Sequence, residues 1–316
     1  MADKSLLNRT RARRWRFYLL MICVPIAIFV LGKAKQNLPT EILEHNGIKW
    51  EYSLIAPDVK LKGLIIAMHG AGGNGPQFAE NSRIIKAANE RGYAVLVPTG
   101  QPAQAGKPAN FRTNPNLWNS GQIPPTSPRT KIDDLGFFEA LVKRAEAKLG
   151  KTPLFITGHS NGSGMTYQLA MNWKSRVRAI ASVSGQVPPK LVGKADQPIP
   201  SLFICGSEDP ISPWNGGESN SPWGKKDSRS VLTMLKLWAR WQGIESEFVE
   251  SAPSEKEKVF EARGEDPRQI VRVLRLEGHG HAWPGGTKGF ADRMMGPNVA
   301  TFDATKAILD WFDRYQ

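Results

Sequence analysis

A serine between glycines, an acidic pair past an apolar run, and two histidines on a glycine-rich loop are the residues whose types can do chemistry together. Gly158-His159-Ser160-Asn161-Gly162 follows the apolar run 153–157 and opens the helix-like stretch 163–173. A G-x-S-x-G between a strand and a helix is a nucleophile elbow. The turn is so sharp that larger side chains two residues either side of the serine would clash, so glycine stands there. It lifts the hydroxyl above the sheet and aims the backbone N–H of Asn161 at the reacting carbonyl.

A serine hydroxyl is a weak nucleophile at neutral pH. It needs a base to take its proton and an acid to fix the tautomer of that base. After Ser160, the apolar run 202–205 ends in Gly206-Ser207-Glu208-Asp209-Pro210, which sets Asp209 just past a strand end, with Glu208 as the alternative. Beyond Leu276 comes Gly278-His279-Gly280-His281-Ala282-Trp283-Pro284-Gly285-Gly286, which offers two candidate bases on one loop. The order serine, acid, histidine is the one expected on a sheet with such an elbow. An oxyanion needs two N–H donors, each worth about 2.7–4 kcal/mol in a comparable site. Asn161 supplies one. The other is expected from His69-Gly70-Ala71-Gly72-Gly73, with Ala71 first and Gly72 next.

Each residue has a plainer reading. Ser160 is a possible helix cap, Asp209 a turn former before Pro210, and His281 a packing partner of Trp283. His279 and His281 as a metal pair lack a third ligand cluster and an H-E-x-x-H. Asp133 and Asp134 read as caps of the following helix. Trp118, Trp214 and Trp283 are candidates for lining an acyl or sugar pocket, and equally for packing anchors. Cys205, in an apolar run, reads as a small buried hydrophobe.

These groups must be positioned by the elements between them. Residues 43–56 read as a hairpin turning at Asn46-Gly47. Residues 64–68, 93–97, 154–157, 179–183, 202–205 and 270–276 read as strands. Helices are expected over 77–91, 133–149 and 228–242, and at the C-terminus from Ala304 to Tyr315 by its helical spacing. Strands alternating with helices give an α/β fold, a doubly wound, mostly parallel sheet flanked by helices. Two long irregular stretches, 99–130 and 209–226, fall near carboxyl ends of strands, where ligands bind in such sheets.

The chain resembles the polyhydroxybutyrate depolymerase-like esterases, relatives of feruloyl and acetylxylan esterases with the α/β-hydrolase fold. The resemblance runs from about residue 44 to the C-terminus. It rests on His69-Gly70-Ala71-Gly72-Gly73, Asn116-Leu117-Trp118-Asn119, Asp133-Asp134-Leu135-Gly136-Phe137, the Ser160 pentad, Gly206-Ser207-Glu208-Asp209-Pro210 and Gly280-His281-Ala282-Trp283-Pro284-Gly285-Gly286. It implies His281 as the base and Asp209 as the acid. Ser163 and His279 stand where the family commonly has glycine. Many secreted relatives carry disulfides near the site that this chain cannot form.

The 316 residues divide into 1–35, a basic N-terminus with an apolar segment, and 41–316, one catalytic domain. The formal charge is +13, of which residues 1–35 supply +7, so the remainder suits an ordinary soluble domain and gives no nucleic-acid footprint. Residues 17–31 read as a secretory signal, with an uncleaved anchor at 17–32 as the alternative. Either way the domain is exported, to the periplasm or outside the cell. It then carries one cysteine, Cys205, and no intrachain disulfide. The expected function is carboxylic ester hydrolysis through an acyl-enzyme, on hydroxyalkanoate oligomers or on acetyl or feruloyl esters of polysaccharide, with no metal or organic cofactor. The rival readings are a membrane-anchored acyltransferase and a non-catalytic carbohydrate- or polymer-binding protein.

Overall fold

The computed structural model describes residues 38–287, 292–299 and 301–316. The signal or anchor expected at 17–32 lies outside the described residues. Among the described residues no helix is long and apolar enough to cross a membrane.

The chain opens with the expected hairpin, β1 (Glu41–His45) and β2 (Ile48–Ile55), turning at Asn46 and Gly47 with positive φ at both. Next come β3 (Gly63–Met68), α1 (Gly75–Ser82), α2 (Ile84–Glu90) and β4 (Tyr93–Pro98). The short pair β5 (Gln101–Pro102) and β6 (Asn116–Leu117) lies inside the first long loop. It is followed by α3 (Asp134–Leu149), β7 (Leu154–His159), α4 (Asn161–Trp173), β8 (Val177–Val183) and β9 (Ser201–Gly206). The second long loop carries the hairpin β10 (Gly217–Ser221) and β11 (Gly224–Ser228). The chain then runs through α5 (Val231–Trp241), β12 (Val249–Ser254), β13 (Glu257–Arg263), β14 (Ile270–Leu276), α6 (Asp292–Met295) and α7 (Ala304–Asp313).

Ten strands make one sheet in the order β1-β2-β4-β3-β7-β8-β9-β14-β13-β12. The run from β4 to β14 is parallel, and the pairs at both margins are antiparallel. At the far margin, β12 is exposed throughout, and its register on β13 slips between Ser251 and Ser254, around Pro253. The central strands are apolar on both faces because helices cover both. On β3, Leu64, Ile66 and Met68 face a core shared with α3, α4 and α5, including Phe137, Phe138, Leu169 and Trp238. Ile65 and Ala67 face the opposite core, against Phe78 of α1, Ile84 of α2 and Ile308 and Phe312 of α7. The period of two along a strand produces this division.

Two expectations on local structure are corrected, and two hairpins are added. The helix expected over 77–91 is two helices, broken at Arg83 with φ +56°. Ser82 Oγ turns back onto the Phe78 carbonyl, and the Arg83 guanidinium reaches the Gly285 carbonyl on the histidine loop. The helix expected from 228 starts at Val231, capped by Ser230 Oγ, because 224–228 belongs to a strand. The hairpins β10–β11 and β12–β13 were not anticipated, since Gly217–Ser221, Gly224–Ser228 and the exposed β12 carry little apolar alternation.

Candidate active site

Ser160 joins β7 to α4 with φ +54° and ψ −117°, a strained conformation for a residue with a side chain. The glycines around it are dictated by contact. A Cβ at Gly158 would lie 2.3 Å from the Gly162 carbonyl, and one at Gly162 would lie 2.5 Å from that of His69. The elbow is therefore wedged between its own turn and the loop after β3. The Ser160 N–H donates to the Val183 carbonyl at 2.9 Å, which ties the turn to β8.

The structure brings the three expected side chains together. His281 Nε2 lies 2.8 Å from Ser160 Oγ, and His281 Nδ1 lies 2.7 Å from Asp209 Oδ2. A carboxylate only accepts, so Nδ1 carries the proton and Nε2 is left to accept from the hydroxyl. Asp209 Oδ1 accepts the backbone N–H groups of Ile211 and Ser212, each at 2.8 Å. Burial works to raise the Asp209 pKa, but the adjacent imidazole and these hydrogen bonds outweigh it and hold the carboxyl below its usual range. The alternative acid, Glu208, is exposed, and the imidazole meets Asp209 instead.

His279 sits apart from the hydroxyl. Its Nδ1 accepts the Val299 N–H at 3.0 Å, so Nε2–H donates to the Ala282 carbonyl at 2.9 Å. Burial keeps this ring neutral by lowering its pKa. Both nitrogens of both histidines are thus engaged within the protein, which leaves no lone pair for the metal-pair reading. Among the described residues no group of three His, Cys, Asp or Glu side chains converges as metal ligands. The thiol of Cys205 is buried, and burial pushes its pKa up.

The loop after β3 supplies the second wall. The Gly72 N–H donates to the Asn116 carbonyl at 2.8 Å, which occupies that candidate donor, while Ala71 lines the cleft beside Ser160. The Asn161 N–H opens α4, where a helix provides no internal partner. His69 fixes the loop: Nδ1–H donates to the Gly70 carbonyl at 2.6 Å, and Nε2 accepts from the Gly100 N–H at 2.9 Å. Burial pushes the His69 pKa down to about 4. His159, immediately before the serine, donates Nε2–H to the His281 carbonyl at 2.7 Å, and burial pushes its pKa down to about 3.

A cleft of about 370 Å³ opens at this point, bounded by Ser160, His281, Ala71, Trp283, Phe111 and Trp223, among others. Of the three tryptophans expected to line a pocket, only Trp283 borders it. Trp283 is 1% exposed, donates Nε1–H to Thr305 Oγ1 at 3.1 Å and meets Phe78 edge-on, so it is wall and anchor at once. Trp118 is fully buried behind the site, its Nε1–H bound to the His69 carbonyl at 2.9 Å and its backbone N–H to Asn161 Oδ1 at 2.7 Å. Trp214 packs on Phe260 beneath the Arg275 guanidinium, away from the cleft. Both assignments to a substrate pocket are corrected: indole apolarity draws these rings into the core.

Two features escaped the sequence reading. Arg129 and Asp134 form a buried, two-pronged ion pair at 2.7 and 2.6 Å, and Arg129 also donates to the Gln101 and Leu117 carbonyls. This pair holds the first long loop against α3, and Asp134 is its anchor rather than the helix cap, which is Asp133. The second feature is the meeting of Phe111 and Trp223 across the cleft mouth. Aromatic residues in loops carry no spacing signal that would reveal such a contact.

No protein-family model matches the chain. In sequence it is 26% identical over 268 residues to NocK of Nocardia uniformis subsp. tsuyamanensis, a protein assigned as an esterase, covering 78% of this chain and 73% of that one. It is 32% identical over 173 residues to feruloyl esterase C of Emericella nidulans, covering 53% of this chain and 57% of that protein's length. In structure it resembles an acetyl xylan esterase from Aspergillus awamori, with TM-score 0.53 at 15% identity over 77% of this chain and 94% of that one. At that identity the likeness concerns the fold. Sheet order, elbow and structural likeness give the chain the α/β-hydrolase fold, and its sequence is similar to proteins named as esterases.

Proposed function

We propose that the chain is a serine carboxylic ester hydrolase, with Ser160 as nucleophile, His281 as base and Asp209 as the group that orients His281. The reading is carried by one observation: a hydroxyl, an imidazole and a buried carboxylate linked at 2.8 and 2.7 Å at the floor of an open cleft. Ser160 Oγ attacks the ester carbonyl as its proton passes to His281 Nε2. The resulting oxyanion is held by the N–H groups of Asn161 and Ala71. The proton returns to the leaving alcohol, and water repeats the sequence on the acyl-enzyme.

The sequence similarity to feruloyl esterase C favours feruloyl esters as substrates, ahead of hydroxyalkanoate oligomers. Residues 1–35 favour export of the domain, with 17–32 as signal or anchor. A fluorophosphonate should label Ser160 stoichiometrically, and the same chain should release 4-nitrophenol from a short ester. Labelling that persists in Ser160→Ala, or a labelled wild type without turnover, would overturn the reading.

A further inference from the structure

Trp223 is the only tryptophan among the exposed large hydrophobic residues described, at 41% exposure. A side chain of this size left in water forgoes burial worth having, so its position calls for a reason. It sits at the turn of β10–β11, a hairpin of otherwise polar sequence, and borders the cleft. The hairpin is fastened next to the acid: the Asn220 N–H donates to the Pro210 carbonyl at 2.8 Å, and Ser219 Oγ–H donates to the Ile211 carbonyl at 2.5 Å.

The ring is also fixed from the other side. Trp223 Nε1–H donates to the Phe111 carbonyl at 2.9 Å, and the two rings lie 5.2 Å apart, tilted by 50°. Phe111 in turn rests on the loop after β3, where a Cβ at Gly72 would come within 2.4 Å of its ring. The two long loops therefore meet over the cleft as an aromatic wall beside Ala71. Its other neighbours on the hairpin side, Pro222 and Ile211, are apolar. The one polar atom of the indole is already bonded, so the wall offers no side-chain donor to a sugar hydroxyl. It suits a flat apolar ring, which gains contact area and ring-on-ring attraction.

We propose that Trp223 and Phe111 are specificity-determining residues that receive an aromatic ring on the acyl part of the ester. This rests on the esterase reading above. The test compares two methyl esters with the same alcohol, methyl cinnamate and methyl butanoate, on the full chain and on Trp223→Ala, Phe111→Ala and Trp223→Phe. The wild type should favour the cinnamate. Trp223→Ala and Phe111→Ala should lower the cinnamate-to-butanoate ratio of kcat/KM by about tenfold, mainly through KM, as expected for losing one ring face. Trp223→Phe should restore most of that ratio. A ratio unchanged in both alanine variants, or parallel losses on both esters, would overturn the wall. A wild type inert toward both esters would instead overturn the esterase reading.

Discussion

His159 donates its Nε2–H to the carbonyl of His281, 122 positions further along the chain, at 2.7 Å. The residue that precedes the proposed nucleophile thus holds the backbone of the proposed base. Serine and histidine loops are registered by this bond as well as by the Ser160–His281 contact. His159→Ala should remove the brace and leave Ser160, His281 and Asp209 chemically intact. Turnover of a short ester should fall by about 10²-fold, the scale of a 1 Å misplacement. Fluorophosphonate labelling should become slower without being abolished. Unaltered labelling and turnover would show that the bond is incidental.

Ser160→Ala should lower turnover on the order of 10⁶-fold, the scale seen when a comparable serine is removed. Asp209→Asn should cost up to about 10⁴-fold, because an amide at that position favours the wrong tautomer of the imidazole. Glu208→Gln should cost little, since that side chain is exposed and the imidazole is bonded to Asp209 instead. Steady-state rates on one ester for all three variants check the ranking.

The buried ion pair Arg129–Asp134 is expected to be costly to break from one side. Arg129→Met leaves a carboxylate with almost no solvent access and no counter-charge, and should destabilise the fold by about 3–5 kcal/mol. Replacing both partners, Arg129→Met with Asp134→Leu, should recover much of that loss. Denaturant melts of the single and double variants measure it. Similar melts for wild type and Arg129→Met would refute the anchoring role given to the pair.

Acid should destabilise the chain before its carboxylates titrate. His69 and His159 are pushed down to about 4 and about 3 from an ordinary 6.5. The unfolded chain therefore binds more protons than the folded one between 6.5 and those values. Stability is full above 6.5 and is lost as pH falls, by at most about 1.4 kcal/mol per pH unit for each ring. Asp209, also lowered, adds a further loss as pH drops below 3.8 toward its folded value. Melting temperature should decline from pH 7 to pH 4, and His159→Gln should make the decline shallower. Identical slopes would remove His159 from this account.

The meeting of Ser160, Asp209 and His281 was legible in the sequence because each sits where a strand ends and the chain must turn. Glycines stand two residues either side of Ser160, Gly280 immediately precedes His281, and Asp209 precedes a proline, so steric necessity leaves a written mark. The central strands were legible for a similar reason, being apolar on both faces. The break at Arg83 was not, since neither glycine nor proline marks it and the Gly285 carbonyl that its guanidinium meets lies 202 positions away. The tryptophans show the limit most plainly. Trp118, Trp214 and Trp223 are alike as letters, and only the packing of distant loops sends two inward and leaves the third at the cleft. The pairing of Arg129 with Asp134 likewise depends on a loop conformation that no periodicity encodes.

The slipped register of β12 on β13 has a consequence for the company the protein keeps. A sheet's last strand offers free amides to any extended chain that reaches it. Here that strand carries a proline at the irregularity and glutamate at position 250, all facing water. Proline has no amide to offer, and the irregular spacing denies a newcomer a regular run of bonds. At this margin the sheet should therefore stop growing: the edge that a crowded, concentrated solution would otherwise turn into a seed for fibrous stacking is blunted in the covalent sequence itself.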